Sequence, residues 1–249
     1  MSSQYLTKLN RFQATGLHLI ASITIILVIF SWVKWIWYPQ ALFFAASGFD
    51  LMKILIVVDL ILGPLIMFII FNPKKKSLKF DVSAVLICQL LFLAYGLWSL
   101  YTVRPAYIAF VDSEFALVRA NDLESEDLKK ARHVEFQQLP LFGPLFVGTE
   151  RPSDKAEQDA LMFASLENVG IESFPQYYVP FERIQGKLPA LSKPLEELEI
   201  DKERLKNLEA IRSTLQKSIK TVLFCPVKLK GPYLYAAVDA SNGAVLGIY

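Results

Sequence analysis

Long apolar runs fill the first hundred positions, and short, turn-bounded ones fill the rest. Ala14–Trp32 is almost wholly apolar, apart from His18 and small hydroxyl residues. A run of this length crosses a hydrocarbon core of about 30 Å. Leu51–Phe71 is a second such run, with Asp59 near its middle and Gly63-Pro64 a turn later. Asp81–Tyr101 is the third, closed by Arg104-Pro105. The pattern predicts three transmembrane helices at about residues 14–33, 51–71 and 81–101. The first run is too long for a signal-peptide core and lacks a small-residue cleavage site, so it reads as a retained helix.

The flanks assign an orientation. Trp32, Trp35, Trp37 and Tyr38, with Lys34 among them, form an aromatic belt with a snorkelling lysine. Pro39–Asp50 is a short loop without Lys or Arg. Lys74, Lys75, Lys76 and Lys79 follow the second run. The excess of positive charge on the inner side of membranes places this cluster and the basic N-terminus in the cytoplasm. In a bacterium the chain would then lie in the inner membrane, with its C-terminal half in the periplasm. A soluble apolar bundle is the competing reading, and lysines gathered at alternate ends of the spans argue against it.

After Arg104 the pattern changes to short strands and amphipathic helices. Ala106–Val111 and Phe115–Arg119 flank Asp112-Ser113-Glu114 and predict a hairpin. Asn121–Arg132 predicts a short charged helix, and Leu145–Gly148 a strand. Ser153 is a candidate N-cap for a helix reaching Asn168. Phe174–Pro194, rich in proline and aromatics, is too irregular for a helix; it either covers a sheet or forms a binding segment. Leu205, Leu208, Ile211 and Leu215 place one apolar face on a helix within Leu195–Ser218. Thr221–Leu229, Tyr233–Val238 and Ala244–Tyr249 predict three antiparallel strands, the last two joined at Asn242-Gly243. The expected fold is therefore an integral membrane α-helical domain of three spans, residues 1–104. A small α+β periplasmic domain with an antiparallel sheet, residues 105–249, follows it.

Charge separates the same halves. Residues 1–104 carry a net +6 and residues 105–249 a net −4, so the overall +2 averages two unlike regions. The basic residues flank membrane segments, and no nucleic-acid partner follows from them. Cys88 and Cys225 are the only cysteines and His18 and His133 the only histidines, without metal-ligand spacing. No phosphate loop, nucleophile elbow or nucleophile beside a histidine occurs. No metal, cofactor or catalytic residue is expected, and the chain is not expected to be an enzyme. Asp59 is costly in a membrane. It is either a handle for a partner helix or proton relay, or a carboxyl facing Gln89 or Tyr95 of the third span.

Several residues then carry a resemblance. They are Asp59-Leu-Ile-Leu-Gly-Pro64, Phe71-Asn-Pro-Lys-Lys75, Leu78-Lys79 with Asp81, Gln89, Tyr95-Gly96 and Arg104-Pro105. Ala237-Val-Asp-Ala240 and Gly243-Ala-Val-Leu-Gly247 close the set. The chain resembles the type IV pilin accessory proteins, the TfpX/TfpZ and FimB-like group. The resemblance implies a pilin-specific chaperone or assembly modulator in the inner membrane. Its implied partners are a type IV major pilin, the lipid bilayer and components of the pilus assembly machine. A mid-span carboxyl beside a Gly-Pro notch makes Asp59, Gly63, Pro64, Gln89, Tyr95 and Arg104 the candidate partner-binding residues. The rival classes are a membrane-anchored ligand-binding or sensor module, a small transporter subunit using Asp59, and a periplasmic-face enzyme.

Overall fold

Asn10 starts the first apolar helix with a reciprocal cap. Its side chain accepts from the Gln13 amide at 2.8 Å, and its own amide donates to Gln13 Oε1 at 2.9 Å. The structure is a computed structural model that describes residues 9–229 and 233–249. The basic positions expected at residues 1–8 lie outside the described residues. Among the described residues, three helices are long and apolar enough to cross a membrane: α1 (Arg11–Trp37), α2 (Gly48–Ile70) and α3 (Leu78–Thr102). Each begins three residues before its predicted run; α1 and α3 also end beyond theirs, and α2 ends at Ile70, one residue short.

The chain forms two units. One comprises residues 1–36 and 47–102; the other comprises residues 37–46 and 103–249. In the first unit, α2 packs against both α1 and α3, and most of the interhelical contact runs through it. Small residues permit close approach, as expected where lipid supplies no hydrophobic drive. A Cβ at Gly96 of α3 would lie 2.2 Å from Leu55 Cδ2 of α2. Ala14, Met67, Phe71 and Leu78 cluster where α1 begins, α2 ends and α3 begins. Arg11 donates to the Phe71 carbonyl at 3.1 Å, and Lys75 pairs with Asp81. The basic residues of the first unit's described loops therefore gather at one end of the bundle.

The helix α2 is not uniform. Val57–Leu62 is a π-helical segment, and the Gly63 amide donates to Val58 O, five residues back. Pro64 lacks the amide that would satisfy Leu60, so the wider turn absorbs a register that an α-helix cannot continue. Asp59 sits inside this wide turn. The Gly63-Pro64 notch is thus preceded by a π turn.

The second unit is built on one seven-stranded sheet, in the order β4-β3-β1-β2-β5-β6-β7. The strands are β1 (Pro105–Val111), β2 (Glu114–Arg119), β3 (Leu145–Thr149) and β4 (Tyr178–Pro180). Beyond them come β5 (Val222–Lys228), β6 (Leu234–Asp239) and β7 (Val245–Ile248). The β1–β2 hairpin and the β5–β6–β7 meander are antiparallel as predicted. The expectation of a wholly antiparallel sheet is corrected: β1 pairs β3 in parallel, and β2 pairs β5 in parallel. Parallel neighbours require long crossovers rather than turns, so no local turn signal announced them.

Other boundaries shift for local reasons. The cap of α4 (Lys155–Leu166) is Asp154, not Ser153; its carboxylate accepts from the amides of Ala156 and Glu157. The segment expected as a helix from Asn121 is a 3-10 turn followed by the short helix Ser125–Lys129. Phe174–Pro194 hides the edge strand β4 between helical turns. The helix expected within Leu195–Ser218 is α5 (Lys202–Leu215), capped by Asp201.

Both faces of the sheet are covered. Ile108 and Phe110 point to one core with Phe115, Val227 and Val238, while Tyr107 and Ala109 point to the other face. There Tyr107, Phe136 and Tyr178 pack edge to face, with centroids 5.2–6.1 Å apart. The α5 face of Leu205, Leu208, Ile211 and Leu215 covers β5 and β6 around Phe224. The loop between the first two spans also belongs here. Leu42 is 1% exposed in the main core, with Ala41 and Ala45 beside it. Gln40 accepts from the Ile248 amide of β7 through Oε1, closing part of that edge strand.

Candidate functional site

The middle of α2 lies on the floor of a small cleft between α1 and α3. A cavity of about 90 Å³ opens there, with His18, Ser22, Asp59 and Gln89 among its walls. Its rim is apolar and uncovered, with Ile25 of α1 and Leu90 of α3 44% and 60% exposed. The space suits a polar side-chain head or a few waters.

Each polar group arrives by helical spacing. Thr15, His18 and Ser22 share one face of α1, and Gln89 comes from the matching face of α3. Asp59 is 6% exposed and held by the π turn of α2. Gly63 leaves room for the tips of its neighbours: a Cβ there would lie 1.9 Å from Gln89 Nε2 and 3.0 Å from His18 Nε2. Pro64 is buried beside it.

Thr15 Oγ1, His18 Nε2, Asp59 Oδ2 and Gln89 Oε1 are all buried without a hydrogen-bond partner. Buried polar groups are normally satisfied, and each orphan costs about 1–3 kcal/mol. Three of them, His18, Asp59 and Gln89, come from three helices and line one cavity of an otherwise apolar bundle. This arrangement leaves hydrogen-bonding capacity unused inside the bundle. Among the described residues no three His, Cys, Asp or Glu side chains gather to hold a metal.

The six candidate residues do not form one site. Asp59, Gly63, Pro64 and Gln89 come together, and Asp59 shares its cavity with Gln89. Tyr95 is 66% exposed and stacks near Trp98 at 6.1 Å, outside the cavity lining. Arg104 lies in the second unit, 1% exposed, and donates from Nη2 to the Pro140 carbonyl at 2.9 Å. His18, not among the six, lines the same cavity as Asp59 and Gln89. Its spacing from Thr15 and Ser22 on an apolar helix was the signal.

The second unit carries a larger groove, of about 990 Å³, beside the β1–β2 turn. Ala116 and Leu117 of β2, Leu161 and Met162 of α4, and Ile171 line it, with Lys228 among its charged groups. The Arg151–Asp112 ion pair, 2.7 Å, also borders it. No residue of α4 is buried, and Met162, Phe163 and Leu166 are 56–75% exposed.

An apolar three-helix unit with buried polar groups, joined to a mixed-sheet domain, is the build of a membrane-associated protein. The comparisons make that class particular. The chain is similar to the fimbrial assembly protein of serogroup I of Dichelobacter nodosus, 24% identical over 218 residues, or 86% of this chain and 84% of the relative. The serogroup E1 protein is 25% identical over 206 residues, 82% of this chain and 79% of its own length. The protein of serogroups C1 and C2 is 27% identical over 119 residues, 47% of this chain and 91% of the relative. No protein-family model matches the chain, and no solved structure matches it significantly. The resemblance to the type IV pilus assembly family, read from the motifs, is upheld by these relatives.

Proposed function

We propose that this protein is an accessory factor of type IV pilus assembly that binds a pilin within the bacterial inner membrane. The role in pilus assembly is supported by relatives named fimbrial assembly proteins over most of the chain. The N-terminus is cytoplasmic and the sheet domain periplasmic, in keeping with the lysines at the turn between α2 and α3. The role is one of binding and not of catalysis.

One observation carries the pilin-binding reading: the unpartnered polar set of His18, Asp59 and Gln89 on the floor of an open apolar cleft. A partner helix crossing this cleft supplies the missing hydrogen bonds from a polar side chain, and in lipid such contacts add to helix packing as a source of affinity. The cleft shields the partner's apolar helix, and the groove of the sheet domain receives its globular part.

The test is co-purification. Tagged full-length protein from its native host, solubilised in detergent, should recover a pilin near stoichiometrically. Asp59→Asn and Pro64→Leu variants that still insert should recover less. Full recovery with both variants would remove the cleft from the interface. No pilin, even after crosslinking, would sink the reading.

A further inference from the structure

We propose that the loop around Leu141 and Phe142 is a lipid-contacting tip that seats the sheet domain on the outer surface of the bilayer. Leu141, Phe142 and Leu145 are 60%, 65% and 42% exposed, an unusual concentration for one surface loop. No charged residue occurs between Glu135 and Glu150. Pro140 and Pro144 flank the tip, and Gly143 turns it with φ +61°. Each proline removes a backbone donor that would need a partner at an apolar boundary.

The occupant follows from where the loop is fastened. The Trp37 indole Nε1 donates to the Leu141 carbonyl at 3.3 Å, and Arg104 donates to the Pro140 carbonyl at 2.9 Å. Trp37 is the last residue of α1, and Arg104 follows the end of α3 at Thr102 by two residues. A chain crossing a membrane three times brings those two helix ends to the same side. Two residues of chain reach about 7 Å, so both anchors keep the loop at the bilayer boundary. A tryptophan there is at its preferred depth. Aromatic and aliphatic tips without charge bind headgroup and upper acyl regions through buried apolar area.

The proposal rests on the membrane-spanning reading of α1, α2 and α3, and the native cysteines separate the two. Cys88 is exposed on α3, whereas Cys225 is buried and its thiol is pushed up to about 12, so it stays unlabelled at neutral pH. The full-length protein is labelled with an NBD maleimide at Cys88 in detergent and then reconstituted in phosphatidylcholine vesicles. A second sample is labelled at position 142 in Cys88→Ser/Phe142→Cys, and a third at an exposed α5 position in Cys88→Ser/Glu209→Cys. Headgroup-nitroxide lipid should quench the label at 142 at least twofold more than the label at 209, and aqueous iodide should quench it less. Mid-chain nitroxide should act most on Cys88. Equal iodide and lipid quenching at 142 and 209, with Cys88 quenched by lipid, would overturn the tip and leave the spans standing. Protection from both quenchers at 142 would reveal a protein contact and also overturn it. Absence of lipid quenching at Cys88 would remove the spans and the tip together.

Discussion

The two units treat buried polar groups in opposite ways. In the sheet unit, Tyr107 donates to the Gln138 carbonyl at 3.0 Å, Tyr178 to the Glu172 carbonyl, and Arg104 to Pro140. Ser192 Oγ is the exception among the described side chains of that unit. In the helical unit, Thr15, His18, Asp59 and Gln89 keep buried atoms unpaired in one region. A unit that satisfies its polar interior is complete as it stands. One that gathers orphans at an open cleft keeps hydrogen-bonding capacity unused.

The strongest way to break this contrast is to unseat the loop that completes the sheet unit. Leu42→Ala should cost about 2–5 kcal/mol, as for other buried leucines. Leu42→Asp should exceed that, because it buries an unpaired charge. Urea titration of the full chain, followed by near-UV circular dichroism, should show early loss of tertiary signal in both variants. An unchanged midpoint in Leu42→Asp would mean that the loop is dispensable to the domain.

Alkaline pH sharpens the same side. Burial, with Glu135 nearby, pushes Tyr107 from its usual value of 10.0 up to about 12, and burial likewise raises Tyr38 and Tyr178. Neutral phenols are therefore favoured by the fold. Their contribution is intact below pH 10 and is lost as pH rises toward 12, because the unfolded chain ionises first. The Tyr107 share is roughly 2–3 kcal/mol, at about 1.4 kcal/mol per tenfold change. Absorbance at 295 nm should show tyrosines that titrate only with unfolding; titration at pH 10 with the fold intact would contradict this burial.

The helical side should respond with the other sign. Asp59→Leu removes a carboxyl with an orphaned oxygen, so stability in detergent should hold or rise by up to about 1–3 kcal/mol while pilin recovery falls. A clear loss of stability would show that Asp59 is satisfied within the bundle. The smallest effect belongs to a local device: Asp154→Ala should cost about 1 kcal/mol through the lost α4 cap. Ser153→Ala should change little, and thermal denaturation of the two variants compares them directly.

Some of the cleft was legible from residue spacing. Asp59 stands out as a carboxyl in an apolar run, and Gly63-Pro64 as a notch in a span. His18 was harder, since one histidine among apolar residues has many packed explanations. Only its placement opposite Gln89 and Asp59 makes it part of a set. Tyr95 and Arg104 share the motif string but not the place, because helix rotation and chain connectivity separate residues that sequence sets side by side.

Local physics thus determined the three apolar helices, the hairpins at Asp112-Ser113 and Asn242-Gly243, and the amphipathic face of α5. Each is written in periodicity, capping and turn chemistry within a few residues. Tertiary structure decided the parallel pairings of β1 with β3 and β2 with β5. It also decided the transfer of residues 37–46 into the sheet unit. It gathered His18, Asp59 and Gln89 at one cavity. All of these join positions far apart in the chain, and their free energy lies in contacts that no local window contains.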